Sequence, residues 1–196
     1  MGIDLNYQAL PIDSEAFCKA RVSREYWEDF TLMIPAWESK KKEPYISYCK
    51  ENMETVKLFE EFPDIYNFTF SLDRVFEALN FIFNPSSFSS AVNLQDSFEY
   101  KLIYGEKSMP EHATGTQGIL SRFSSPEFVK DSAEYLAQID LRDLELRFDP
   151  VKMAELNLYK CGENEQFVRF KSYITDFAEF YSRVAQRNYG LICIRD

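Results

Sequence analysis

Between Gln166 and Asp196, large apolar residues fall at Phe167, Phe170, Ile174, Phe177, Tyr181 and Val184, in alternating steps of three and four. That period sets six side chains along one stripe of a helix. Burying a side chain of this size contributes roughly 1.5–3 kcal/mol, so the stripe contributes on the order of 10 kcal/mol, comparable to the net stability of a domain. The stripe must be covered, and the helix is expected to be the spine of a single core. Gly190 comes after it and suits the left-handed residue that ends many helices. Leu191 to Ile194 are then apolar without alternation, the pattern of a strand central in a sheet and covered on both faces.

Elsewhere the period switches between two and 3.6. Ile3, Leu5, Tyr7 and Ala9 alternate with polar neighbours and predict a first strand, ended by Pro11. Asp13 or Ser14 offers an N-cap, and Phe17, Val22, Tyr26, Phe30 and Ile34 support one helix or two up to Pro35. A helix is expected from about Tyr45 to Phe62 with Ile46, Cys49, Met53, Val56 and Phe59 on its buried side. Tyr66, Phe68 and Phe70 alternate as in a short strand. Ser71 caps the next element, a helix with Leu72, Val75, Phe76, Leu79, Ile82 and Phe83 on a broad apolar face, stopped by Asn84-Pro85. The alternation of Phe98, Tyr100, Leu102 and Tyr104 reads as a strand closed by Gly105. Residues 105–118 hold three of six glycines and the single histidine, and read as a loop. Ser125 before Pro126, Asp140, and Asp149 before Pro150 then start three helices in succession. Strands at both ends and in the middle, separated by groups of helices, predict one helix-rich α+β domain spanning 1–196 with a small sheet that includes both terminal strands.

Composition fits that picture. A chain of 196 residues with 45% apolar residues, 18 Phe and 12 Tyr forms a core and lies far from the disordered class. No apolar run nears the roughly 20 residues that cross a bilayer, and the N-terminus has no signal-peptide pattern, so a cytoplasmic location is expected. The net charge of −10 is uneven: residues 1–100 carry 17 acids against 9 Lys and Arg, and residues 101–196 carry 15 against 13. Such a balance repels phosphate backbones and anionic lipid, which argues against nucleic acid and membrane partners. Lys40 to Lys42, the one basic run, reads as a solvated loop. The cysteines at 18, 49, 161 and 193 have no zinc spacing. Cys49 and Cys193 look buried, and Cys161 beside Gly162 looks the most exposed. No metal or cofactor is expected.

The stretches "SLDRVFEALNFIF", "SRFSSPEFV", "IDLRDLELRFDPVKMAELNLY" and "ITDFAEFYSRVAQRNYGLICI" together resemble segments of the YfbM-like family of bacterial proteins, a domain of unknown function. "SLDRVFEALNFIF" is similar to the family's Leu-Asp-Lys-x-Trp-x-x-Leu-His helix, with Leu72, Asp73 and Leu79 in place. "SRFSSPEFV" and "IDLRDLELRFDPVKMAELNLY" resemble its Tyr-Leu-Thr-Pro-Glu-Glu-Val and Phe-Asp-Pro-x-x-Met segments, and "ITDFAEFYSRVAQRNYGLICI" resembles its closing helix and strand. The resemblance covers about 66–196 and the first strand, and leaves about 13–65 as a helical region without recognised motifs. Phe76 stands where the family favours tryptophan, Glu77 and Asn80 where histidines are common, and Ile119-Leu120 replaces a Gly-Pro before Arg122. The resemblance implies a mixed α and β bacterial cytoplasmic domain and brings no activity with it.

Candidate chemistry is sparse. His112 lies in the glycine-rich loop beside Glu111, but no G-x-S-x-G elbow supplies a serine nucleophile, and neither G-x-x-x-x-G-K nor G-x-G-x-x-G occurs. No catalytic residue is assigned. Glu77, at the edge of an apolar helix face, and Arg122 offer a charged pair, which with His112 would line a ligand cleft between residues 72–83 and 105–122. Arg122 capping or pairing locally with Glu127 is the plainer reading. Tyr26, Trp27, Tyr45, Tyr48 and Tyr66 cluster in the acidic half, and Tyr and Trp are enriched at protein interfaces. Two functions are therefore expected to compete. The leading one is a non-enzymatic domain that binds a basic protein through acidic and aromatic surface, as an inhibitor or immunity-type factor. The other is a small enzyme or ligand-binding protein using Glu77, His112 and Arg122.

Overall fold

The computed structural model describes residues 4–30, 52–88, 94–109, 121–158 and 161–195. Among them the chain runs β1 (Leu5–Leu10), α1 (Glu15–Val22), helical residues 24–30, α2 (Met53–Glu61), β2 (Thr69–Ser71), α3 (Phe76–Phe83), α4 (Phe98–Tyr104) and β3 (Lys107–Ser108). It continues through β4 (Ser121–Ser124), α5 (Pro126–Ala137), α6 (Leu141–Arg147), α7 (Pro150–Glu155), α8 (Phe167–Gln186) and β5 (Gly190–Arg195). The strands form one antiparallel sheet in the order β2-β1-β5-β4-β3. β5 pairs with β1 from Leu5↔Arg195 to Leu10↔Gly190 and with β4 from Ser121↔Ile194 to Ser124↔Leu191. The last strand is thus central, as its unbroken apolar run requires.

Successive residues of a strand face opposite ways. Leu191 and Cys193 enter a core shared with α3, α4, α5 and α8, whereas Ile192 and Ile194 enter a second core with Phe17, Trp27, Phe30, Leu58 and Phe59. All six residues of the α8 stripe are buried, joined by Phe180, which the spacing did not single out. The N-caps at Ser125, Asp140 and Asp149 each accept a backbone N–H from the first turn.

Four local expectations are corrected. Residues 98–104 form helix α4 rather than a strand. Ile103 adds an apolar side chain out of phase with the alternation, so Tyr100, Leu102, Ile103 and Tyr104 are all buried, a pattern that fits a helix end set into a core. Ser97 caps its start through Tyr100 N, and Gly105 ends it at φ +99°. The left-handed residue after α8 is Asn188 (φ 54°), while Gly190 belongs to β5. A Cβ on Gly190 would lie 3.0 Å from the Phe17 ring, so here glycine serves close approach. Met53 is 53% exposed and Val56 only half-buried, whereas α2 buries Phe59 as expected and Thr55 and Leu58 with it, which turns its inner face by about one residue. Ile46 and Cys49 lie outside the described residues. Finally, among the described cysteines Cys18 is exposed and Cys161 is half-buried.

Candidate functional sites

Glu77 sits in the first turn of α3, where its carboxylate lies 3.7 Å from the Arg195 guanidinium at the end of β5. Arg122, on β4, is 5% exposed. Its Nε donates to Gly105 O at 2.7 Å, Nη1 to Ser108 Oγ at 3.1 Å and Nη2 to Glu106 O at 2.9 Å. It therefore clamps the turn between α4 and β3, and these bonds replace the pairing with Glu127 expected from sequence. Arg122 also packs beside a pair of rings. The Arg122 guanidinium lies 5.6 Å from the centre of the Tyr100 ring, and the Tyr100 and Tyr104 rings are 4.4 Å apart. Burial first, then the Glu77 carboxylate, pushes the Tyr104 phenol well up. His112 lies outside the described residues.

The aromatic residues of the N-terminal half divide. Trp27 is 3% exposed and packs in the second core, stacked on Phe30, so it offers a partner no surface. Tyr26 also stacks on Phe30, shares a 2.7 Å hydrogen bond with the Thr55 hydroxyl and is half-buried. Tyr66 is also half-buried. Tyr45 and Tyr48 lie outside the described residues.

A cleft of about 440 Å³ opens between the start of α1 and α2. Asp13, Glu15, Glu54 and Glu61 line it against a single lysine, Lys57, over a floor that includes Pro11, Ala16, Leu58 and Phe62. The sequence builds it simply. Pro11 ends β1, and Ser14 caps α1 by accepting from Phe17 N at 3.1 Å while donating to Pro11 O at 2.7 Å. α2 is held alongside by Lys19, whose ammonium lies 2.7 Å from Glu54 and 3.5 Å from Glu15. No sequence motif marked this cleft; the one available signal was the excess of acid in residues 1–100.

Other chemistry is quiet. Among the described residues, no group of three His, Cys, Asp or Glu side chains is placed to hold a metal ion. Burial pushes the Cys161 thiol up to about 11 and raises that of Cys193 further, the opposite of what a nucleophile needs. Among the described residues, no helix is long and apolar enough to cross a membrane.

A family model described as "Domain of unknown function (DUF1877)" matches residues 1–194. Among solved structures, YfbM from Escherichia coli, a protein of unknown function, is similar with a TM-score of 0.60 over 98% of this chain and 99% of that one, at 10% identity. At that identity the likeness shows the fold alone. No curated protein matches the chain.

Proposed function

The chain belongs to the DUF1877 family, and from that premise we propose that it is a non-enzymatic binding domain that takes a lysine- and arginine-rich segment of another protein in the cleft between α1 and α2. The observation that carries this reading is the lining of the cleft, four carboxylates to one lysine over an apolar floor, an acidic excess that remains when the pairing of Lys19 with Glu54 and Glu15 is counted. Lysine and arginine are the side chains that suit such a surface, because their aliphatic stems lie on apolar ground while their heads stay at its polar rim. Each exposed ion pair contributes only about 0–1 kcal/mol, so affinity comes from several contacts together and from steering by the net charge of −10. On this reading the partner meets the acidic lining of the cleft, and Trp27 takes no part, since it is packed inside.

A fluorescent lysine-rich peptide tests this by anisotropy at low and moderate salt. Glu15→Lys with Glu61→Lys is expected to weaken binding at least about tenfold, and wild-type binding is expected to fall as salt screens the pairs. Asp131→Lys with Glu134→Lys changes the net charge by the same amount on a separate acidic surface of α5. That control is expected to bind nearly as well as the wild type. Equal losses in both variants would mean that total charge, not this cleft, attracts the peptide. Capture from the native cell extract with wild-type and cleft-reversed protein side by side then identifies the partner.

A further inference from the structure

Two of the four carboxylates that line the cleft between α1 and α2 already hold an ammonium, and it is the protein's own. Lys19 reaches from α1 to Glu54 on α2 at 2.7 Å and to Glu15, one turn back, at 3.5 Å. The same ammonium lies 5.8 Å from the centre of the Tyr26 ring, within the range of a cation–π contact. The walls around it are fixed. The Tyr26 hydroxyl shares its 2.7 Å hydrogen bond with Thr55, which is fully buried. The Tyr26 ring stacks on Phe30, Phe30 stacks on Phe59 of α2, and both phenylalanines are fully buried. The Glu54 side chain is 13% exposed, against 44% for Lys19. The lysine, on a flexible four-carbon stem, is therefore the part of this cluster that can leave.

We infer that Glu15, Glu54 and the Tyr26 ring form a lysine-binding subsite of the cleft, which Lys19 fills in the free protein and yields to a lysine of the partner. This rests on the reading of the cleft given above and adds to it the side chain the subsite takes and the residue that competes for it. Two carboxylates face one ammonium, so the subsite stays negative with Lys19 in place and draws a basic segment before any exchange. Exposed ion pairs contribute little net stability, so replacing one ammonium by another costs little. The incoming segment also gains contacts that Lys19 does not make. Asp13 and Glu61 belong to the same lining, and no cation among the described residues pairs with either, so both are left for its further basic side chains. The bridge from α1 to α2 is not lost in the exchange, because the partner's ammonium takes the place of Lys19 between the same carboxylates.

Anisotropy with the fluorescent lysine-rich peptide tests the exchange through Lys19→Gln. Removing the competitor is expected to tighten binding several-fold, a gain that a damaged fold would not produce. Lys130→Gln makes the same change of charge on α5, which packs on the other face of the sheet, and is expected to bind as the wild type does. In a Glu54→Gln background the gain from Lys19→Gln is expected to shrink, because the carboxylate it frees is gone. The wild-type protein supplies a second readout. Trace acetylation with acetic anhydride, mapped by peptide with Lys130 as the reference, is expected to label Lys19 more with the peptide bound than without it. Lys19→Gln that binds no tighter than Lys130→Gln would overturn the inference, as would a gain undiminished by Glu54→Gln or Lys19 labelling that does not rise. Any of these beside weakened binding in Glu15→Lys with Glu61→Lys removes the exchange and leaves the cleft as the partner site. Absence of binding by wild type and Lys19→Gln alike would remove both.

Discussion

The last turn of α4 shows what single side chains do in this core. A helix leaves its final carbonyls without intrahelical donors, and α4 ends inside the protein, where water cannot supply them. The Tyr7 hydroxyl donates to Ile103 O at 2.5 Å, and the Tyr181 hydroxyl donates to Leu102 O at 2.8 Å. Tyr7 comes from β1 and Tyr181 from α8, so the two phenols tie three elements together at one helix end. Burial raises both phenols well above their usual value, so at neutral pH they are protonated donors. Tyr181→Phe leaves Leu102 O buried without its partner and is expected to cost about 1–3 kcal/mol in urea unfolding. A loss of only a few tenths would show that the carbonyl finds another donor. The cysteines offer a second measurement at this scale. Alkylation with iodoacetamide at pH 7.5, read by peptide mapping, is expected to label exposed Cys18 first, because burial holds the Cys161 thiol up to about 11. Equal labelling of Cys18 and Cys161 would contradict that burial.

At the scale of elements, the segment around α4 is also where sequence and structure part. The helices with long period or clear caps were legible: α8 from its three-and-four spacing, and α5, α6 and α7 from Ser125, Asp140 and Asp149. α4 was not, because in seven residues period two and period 3.6 share most of their positions, and what decides between them is tertiary. Its ends were in fact marked, by Ser97 and Gly105, but its burial comes from Tyr7 and Tyr181, 96 and 79 residues away. The role of Glu106, just past α4, was hidden too, because its partner Ser125 stands 19 residues on, beyond β3 and β4. Its carboxylate accepts from Ser125 N at 3.0 Å and Ser125 Oγ at 2.8 Å and so caps α5 from outside the helix. Burial works against the charge, but the Ser125 donors and the Lys107 ammonium prevail and hold the carboxyl below its ordinary value. A carboxyl depressed on folding contributes stability above its unfolded pKa and loses it as pH falls through the folded one. Glu106→Gln keeps an acceptor and removes the charge, so it is expected to cost about 0.5–1 kcal/mol at pH 7. That gap is expected to close as pH falls from about 4.5 toward the depressed folded value. A gap that persists at pH 2 would mean that shape rather than charge carries the contribution.

For the whole molecule, the question is whether two cores on one sheet unfold as one. The second core, with Phe17, Trp27, Phe30, Leu58 and Phe59, has Ile192 and Ile194 as part of its wall, while Leu191 and Cys193 of the same strand serve the first. That much was legible in the unalternating run at 191–194; the register that sets β5 between β1 and β4 was not, since it is fixed by partners more than a hundred residues away in sequence for β1 and some seventy for β4. A strand with both edges and both faces occupied cannot leave one layer without exposing the other, so a single cooperative transition is expected. Trp27 reports on the second core, and Trp37→Phe makes it the sole tryptophan. Far-UV circular dichroism reports chiefly on the helices, of which α8, at 20 residues, is the longest among the described elements. In urea the two signals are expected to share one midpoint and one slope. Ile192→Ala is expected to shift both together by about 2–5 kcal/mol, the cost of a cavity at a fully buried position. Fluorescence that moves at lower urea than the dichroism would instead mean that the layer carrying the acidic cleft melts from an intact sheet, and the cleft would then fold separately from the spine formed by α8 and β5.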